Sequence, residues 1–142
     1  MKNLFQNSMV SYVSIQGDYF KIDGQVYTCL KGQIQKYSPV RKLFDDGKLK
    51  CHSIDAYQSK SGKFCAFCEE QTKCQKKIRL SMALNIGNNR ICAVFDINYL
   101  SFDNFEEIIE SIGVDNLQKT SIAMKVVYDE KDRKLIEFWE AE

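Results

Sequence analysis

The chain has 142 residues, of which 44% are hydrophobic and 27% are charged, and its formal net charge is +1. This length and apolar content suit one domain with its own hydrophobic core and exclude a disordered or linker-like chain. No run reaches the roughly 18 apolar residues of a transmembrane helix, and the polar N-terminus does not resemble a secretory signal, so we expect a cytoplasmic protein without membrane contact.

The charge is distributed unevenly along the chain. Residues 31–80 contain 12 Lys+Arg against 5 Asp+Glu, whereas residues 101–142 contain 5 against 11. A basic middle and an acidic end can be ordinary solvated faces. The basic part can also supply an anion-binding surface that the net charge conceals.

Short strands are predicted at the N-terminus. Residues 9–15 form one, and residues 17–30 read as strand, turn and strand around Asp23-Gly24. The last of these strands can continue as far as Ser38-Pro39, where proline either stops it or places it at a sheet edge. A two-residue period would put Leu30, Ile34 and Lys36 on one face.

Clearer patterns follow Cys74. Residues 76–84 alternate, with Ile78, Leu80, Met82 and Leu84 on one face, and residues 91–97 form the second strand of a hairpin. The period then becomes helical over 102–112, with Ser101 as the expected N-cap and Gly113 as the expected C-cap. Strands at 120–128 and 134–139 complete the chain.

This order predicts a mainly β fold. It matches an OB-like five-stranded barrel with one helix between strands 3 and 4, in which strand 25–37 is the first. Extra strands precede the barrel, a zinc-binding insertion occupies residues 48–76, and residues 1–142 form a single domain. An α+β sheet with one helix is the competing fold. The use of OB barrels in binding oligonucleotides is an analogy at the level of the fold.

Four cysteines lie within 24 residues in the middle of the chain. Cys65 and Cys68 form a C-x2-C knuckle, Cys74 follows after five residues, and Cys51 precedes the knuckle by thirteen. Four thiolates suit the tetrahedral coordination of structural Zn²⁺. We therefore predict Cys51, Cys65, Cys68 and Cys74 as zinc ligands.

Other interpretations of this segment stay open. The adjacent His52, the one histidine of the chain, could replace a sulfur ligand. The cysteines could also be buried core residues, or a disulfide framework if the protein were exported. A catalytic zinc site would need an open coordination position and an acid or base beside it. Neither the deaminase signature nor a phosphate-binding or nucleophile motif is present, so an enzyme is not expected.

Aromatic and basic residues alternate around the cysteines. Rings can stack on unpaired bases while cations follow the phosphates, which favours single strands over a duplex. The expected helix is acidic and would be repelled by DNA. The residues predicted to contact nucleic acid are Lys36, Tyr37, Arg41, Lys42, Lys50, Phe64, Lys76 and Arg79.

The segment 35–80 resembles small single-stranded-DNA-binding proteins of phages and mobile elements, which are OB-fold proteins with a zinc-binding insertion. The resemblance extends over roughly residues 25–140. It rests on Arg41-Lys-Leu-Phe, Gly47, Cys51-x-Ser53-x-Asp55, Gly62, Cys65-x2-Cys68, and Cys74 followed by basic residues and a strand. It implies a cytoplasmic, non-enzymatic accessory of replication or recombination, with the four cysteines as zinc ligands and Arg41 and Lys42 near the DNA.

The leading hypothesis is therefore a zinc-stabilised protein that binds single-stranded DNA with little sequence preference. The alternative is a zinc-containing adaptor that docks a polymerase, helicase or primase. A small metal-dependent nuclease is a third hypothesis, which the lack of convergent carboxylates disfavours. DNA against RNA preference, oligomeric state and the identity of a protein partner stay open.

Overall fold

Nine strands and one α-helix form the described part of the computed structural model, which comprises residues 10–45, 48–53 and 74–141. A short 3₁₀ turn precedes the helix and another follows it. The strands are β1 Ser11–Gln16, β2 Tyr19–Ile22, β3 Gln25–Tyr27, β4 Cys29–Asp45, β5 Lys48–Ser53, β6 Gln75–Ile86, β7 Asn89–Asn98, β8 Ile122–Tyr128 and β9 Lys134–Glu140, and the helix is α1 Phe102–Ile112.

The strands belong to one strongly curled, half-barrel sheet. Eight of them follow the order β3-β2-β1-β7-β6-β4-β8-β9, and β5 pairs with β4 beside this path. The sheet is mixed because β1 runs parallel to β7, while the other pairs are antiparallel. A mainly β fold with extra N-terminal strands and a helix between β7 and β8 is therefore confirmed.

The long strand β4 connects the two halves of the sheet. One of its edges pairs with β6 from Gly32 to Lys42. The other edge pairs with β8 over residues 29–32 and with β5 over residues 41–45. The strand does not end at Pro39, as one reading of the sequence predicted, but continues to Asp45. Pro39 is tolerated because it lies where the second edge of β4 pairs with none of the described strands.

The predicted alternation of β6 is confirmed by its burial. Leu80, Met82 and Leu84 are buried, and they pack with Phe95 of β7 and Phe105 of α1 in one core. The rings of Phe105 and Phe138 lie 5.6 Å apart and join the helix to β9. Each such buried side chain contributes roughly 1.5–3 kcal/mol, so this core holds α1 against one side of the sheet.

The helix begins and ends at the predicted residues, but its start is built differently. Ser101 is the N-cap residue, yet its hydroxyl makes no capping hydrogen bond. Instead it accepts a hydrogen bond from the backbone N–H of Ile136 on β9, at 2.8 Å. Ser101 therefore ties α1 to the sheet. At the other end, Gly113 has φ +89°, and its N–H donates to the carbonyl of Ile109.

Candidate nucleic-acid interface

The side of β1, β4, β6 and β7 that faces away from the core carries a group of cationic side chains. Paired residues share a face of a sheet, and Lys36 pairs with Ser81, Ser38 with Arg79, and Lys42 with Gln75. Ser81 in turn pairs with Val94, which is the partner of Tyr12 on β1. We call this surface the basic face, and its principal members are Tyr12, Lys36, Lys42, Lys77, Arg79 and Asp96.

Asp96 organises the centre of the basic face. Arg79 donates two hydrogen bonds to it, from Nε to Oδ1 at 2.8 Å and from Nη2 to Oδ2 at 2.9 Å. Lys42 forms an ion pair with Oδ2 of the same carboxylate. Such bidentate pairs fix the plane of a guanidinium. Asp96 is the one carboxylate that the described side chains of these four strands place on this face, so the face keeps an excess of positive charge.

The partners of Asp96 determine its ionisation. Its partial burial would by itself raise the pKa of the carboxyl, but the hydrogen bonds from Arg79 and Lys42 outweigh burial and hold the pKa below its ordinary value. The same hydrogen bond is the main cause that raises the pKa of Arg79. Asp96 and Arg79 are therefore both charged at neutral pH.

Lys77, also on this face, forms no salt bridge within the described chain. Burial is the main cause that lowers the pKa of its ammonium group, and the nearby Lys42 lowers it further, while Asp96 offsets part of the effect. A half-buried ammonium beside a second cation is electrostatically unfavourable in the free protein. An anion bound at this point would relieve that cost.

Tyr12 gives the basic face an aromatic ring. Its side chain is 67% exposed, and the phenol lies close enough to Arg79 to interact electrostatically with it. An exposed ring bordered by cations is the arrangement on which an unpaired base can stack while its phosphates contact the cations.

The structure places the residues predicted to contact nucleic acid on two different sides of the sheet. Lys36, Lys42 and Arg79 come together on the basic face. Tyr37, Arg41 and Lys76 belong to the opposite side of the sheet. Tyr37 pairs with the core residue Leu80, and the pair of Arg41 and Lys76 lies four residues further along, an even step that keeps it on the same side. Tyr37 is 40% exposed, and its ring makes an edge contact with Phe105 at 5.2 Å.

Two of the predicted nucleic-acid contacts lie outside what the structure describes. Phe64 is not among the described residues, and for Lys50 the structure describes the backbone of β5 alone. Conversely, the predicted set omits Tyr12 and Lys77. Lys77 could have been included because it alternates with Arg79 along β6. No local signal identifies Tyr12, because its place depends on the parallel pairing of β1 with β7.

The four predicted zinc ligands are only partly within the described chain. Cys65 and Cys68 lie outside it, Cys51 is described by its backbone, and Cys74 is half-buried just before β6. Cys51 pairs with Leu43, and Gln75, which follows Cys74, pairs with the neighbouring Lys42. The two outer cysteines thus reach the same end of β4 from its two edges, about two strand spacings or roughly 10 Å apart.

Cys51 and Cys74 therefore lie at one end of β4, while the knuckle of Cys65 and Cys68 lies outside the described residues. Within residues 10–45, 48–53 and 74–141, no group of three or more His, Cys, Asp or Glu side chains could hold a metal ion. The apolar neighbours of Cys29 and Cys92 in the predicted strands indicate buried side chains, but Cys29 is half-buried and Cys92 is exposed. Cys92 precedes the core residue Ala93 on β7, so its side chain points to the side of the sheet away from the core.

The fold and the basic face together define a mainly β chain with a cationic, tyrosine-bearing sheet surface. No protein-family model matches the chain, and neither a curated protein nor a solved structure matches it. In the part of the chain that the structure describes, no helix is both long and apolar enough to span a membrane.

The substitution Asp96→Asn is expected to lower the free energy of unfolding by about 1–2 kcal/mol at pH 7, because it leaves Arg79 and Lys42 without their shared anion. The folded-state pKa of Asp96 is lowered, so its stabilisation is complete above the ordinary value of 3.8 and is lost as pH falls through the folded pKa. Thermal unfolding at pH 7 and pH 3 checks this. An equally large difference between the two proteins at both pH values would contradict it.

The substitution Lys77→Met is expected to change stability and nucleic-acid affinity in opposite directions. Methionine keeps the apolar stem but removes a half-buried charge beside Lys42, so the free energy of unfolding should rise by a few tenths of a kcal/mol, up to about 1. Affinity for an oligothymidylate should fall about fivefold, because one phosphate contact is lost. Urea unfolding and fluorescence anisotropy measure the two effects. A fall in both quantities would indicate a merely structural role for Lys77.

Proposed function

We propose that this protein binds single-stranded DNA with low sequence specificity and acts, without enzymatic activity, as a cytoplasmic accessory of replication or recombination, as in the phage and mobile-element proteins that its sequence resembles. The observation that carries this proposal is the basic face. Lys42, Lys77 and Arg79 lie around one carboxylate, Asp96, on a sheet surface that also presents Lys36 and Tyr12.

The strand order supports the finer interpretation of the fold as OB-like. The path β7-β6-β4-β8-β9, with the helix between β7 and β8, is the strand order of an OB barrel that is open between its third and fifth strands. These two strands, β7 and β9, do not pair with each other. The parallel strand β1 occupies the edge of β7 instead. In OB-folds, oligonucleotides bind across the second and third strands. Under this interpretation those strands are β6 and β7, which carry Arg79 and Asp96.

The shape and chemistry of the basic face favour a single strand over a duplex. The face lies on β-strands, and the one α-helix of the described chain is acidic, with Asp103, Glu106 and Glu107 in its first half. Such a helix would be repelled by the phosphates of a major groove. An exposed tyrosine among cations instead matches the stacking platforms of proteins that bind single strands irrespective of sequence.

We further propose that Zn²⁺, held by Cys51, Cys65, Cys68 and Cys74, anchors the segment between β5 and β6. A closed shell of four thiolates stabilises structure and leaves no coordination position for a reacting water. In this proposal the metal fixes a lysine-rich segment beside the end of β4, near Lys42. Phe64, which the sequence predicts as a contact, belongs to that segment, and Lys50 lies on the preceding strand β5.

A titration of fluorescein-labelled oligothymidylate at two salt concentrations tests the proposal. Counterion release from single strands lowers log K by about 0.7 per neutralised phosphate for each tenfold rise in salt. Four contacts therefore predict a roughly 50-fold weaker affinity at 200 mM than at 50 mM salt. Zinc content measured on the same sample should be about one ion per chain, as a four-thiolate site requires. Absence of binding at low salt would reject the DNA-binding role, and absence of zinc would reject the metal site alone.

An adaptor that docks a polymerase, helicase or primase is the second candidate. Its support is the acidic C-terminal part of the chain, which lies away from the basic face. The combined substitution of Lys36, Lys42, Lys77 and Arg79, the four cations of the basic face, separates the two functions. DNA binding should collapse if the first proposal holds, whereas an adaptor would still co-purify with its partner.

A further inference from the structure

An acidic groove runs between α1 and β9, apart from the basic face. Its volume is about 490 Å³, and it is open to solvent along one side. The helix contributes Glu107 and Ser111, and the strand contributes Glu137, Phe138, Trp139 and Glu140. Since β9 is the last strand of the sheet order, one of its edges has no neighbouring strand in the described chain.

Hydrogen bonds show which backbone groups of β9 point into the groove. The N–H of Ile136 donates to Ser101 Oγ at 2.8 Å, and its carbonyl accepts from Asn104 Nδ2 at 2.9 Å. Both groups of Ile136 therefore point towards the helix and away from β8. Alternate residues of a strand direct their backbone groups to the same edge. The backbone groups of Phe138 and Glu140 consequently point the same way, as the inward bond from the N–H of Ala141 to Ser121 confirms.

The open edge of β9 is thus covered by side chains at Ile136, but its backbone groups are free to pair with another strand at Phe138 and Glu140. Ser101 and Asn104 satisfy Ile136, whereas no described side chain forms a hydrogen bond with the outward backbone groups of Phe138 and Glu140. Natural proteins protect exposed strand edges because such edges pair readily with other extended chains. An extended segment could add to β9 here, beyond the point where Ser101 and Asn104 block it.

The side chains of the groove indicate the charge of such a segment. Glu107, Glu137 and Glu140 contribute three carboxylates, and none of them forms a salt bridge within the described chain. Lys125 is paired with Glu137 across the sheet but makes no ion pair with it. Trp139 is 37% exposed and offers a ring to an aliphatic stem or a cation. Lysine or arginine side chains are therefore the complementary chemistry.

We propose that the acidic groove binds an extended, basic segment of a partner protein, which adds to β9 as a further strand. The backbone of the segment pairs with Phe138 and Glu140, and its cationic side chains contact Glu107, Glu137 and Glu140. This site is independent of the nucleic-acid interface, so the failure of either proposal leaves the other intact.

The test uses the full chain and a fluorescein-labelled peptide, Lys-Val-Lys-Val-Lys, followed by fluorescence anisotropy at low salt. A second peptide carries methyl groups on its peptide nitrogens, which preserves the charges but removes the hydrogen-bond donors. The first peptide should bind and the methylated one should bind at least tenfold more weakly. The variant Glu137→Lys/Glu140→Lys should also weaken binding at least tenfold, while the matched charge reversal Glu110→Lys/Glu130→Lys should change it less than twofold.

Three outcomes would overturn the proposal. No binding of the first peptide at millimolar concentration would exclude a site for basic segments. Equal binding of the methylated peptide would show charge attraction without strand addition. Self-association of the protein that the variant Glu137→Lys/Glu140→Lys abolishes, measured by sedimentation equilibrium, would show that a second copy of the chain occupies the groove.

Discussion

Reversing the charge of Lys36 and Lys77 together is expected to weaken oligothymidylate binding at least a hundredfold at 100 mM salt. The variant Lys36→Glu/Lys77→Glu removes two phosphate contacts and adds two repulsive charges to the same face. Each single-strand phosphate contact contributes about fivefold in affinity at this salt concentration, so four such changes exceed a hundredfold. Fluorescence anisotropy gives the dissociation constant, and circular dichroism verifies that the variant is folded.

The matched control reverses one lysine in the turn between β8 and β9 and one at the start of β9. Lys131→Glu/Lys134→Glu makes the same change in net charge but lies away from the basic face, so affinity should fall less than threefold. If both variants lost affinity equally, binding would depend on overall charge, and the basic face would not be the interface.

The substitution Gly32→Ala is expected to destabilise the fold by more than about 3 kcal/mol, because a methyl group has no room there. A Cβ at residue 32 would lie 2.1 Å from the carbonyl oxygen of Ala83 and 2.8 Å from the Cα of Leu84, both of them backbone atoms of β6. Backbone cannot move aside as a side chain can, so β4 and β6 must separate. These are the strands that carry Lys36 and Arg79. Urea unfolding measures the loss.

Gly87→Ala is the control for Gly32→Ala. Gly87 lies in the turn between β6 and β7 with φ +58°, and a Cβ there would meet nothing within 4 Å. The cost is then the left-handed backbone conformation alone, about 1 kcal/mol. Similar costs for the two substitutions would contradict the close approach of β4 and β6 at Gly32.

Local patterns were sufficient to predict much of the fold. The helix over residues 102–112 and the buried face of β6 follow from periodicity, since neither requires knowledge of distant partners. The turn at Asp23-Gly24 is confirmed as well. Both residues have positive φ, +49° and +82°, as a two-residue hairpin turn of this kind requires.

The composition of the basic face depended on register, which the sequence does not show. Strict alternation placed Lys36 on the same face as Leu30 and Ile34, and this prediction was wrong. A register shift between Ile34 and Lys36 makes Ile34 the partner of Met82 and Lys36 the partner of Ser81. Because Met82 and Ser81 point to opposite faces, one irregularity moves Lys36 from the core side to the basic face.

The same shift explains why neighbouring predictions were divided between two surfaces. Tyr37 contacts Phe105 on the core side, while Lys36 lies on the basic face together with Arg79. The parallel pairing that brings Tyr12 next to Arg79 joins residues about 80 positions apart, and no short pattern encodes it. Proximity in sequence identified the basic segment, but the strand pairing determined which of its cations share a surface.

We propose that single-stranded DNA binds across the basic face. The most direct test is the titration of ¹⁵N-labelled protein with unlabelled oligothymidylate, followed by amide chemical shifts. We expect the largest shifts on β1, β4, β6 and β7, with little change on α1 and β9. The residues concerned are Tyr12, Lys36, Lys77, Arg79 and Asp96. Shifts confined to α1 and β9, or no shifts at low salt, would contradict this proposal.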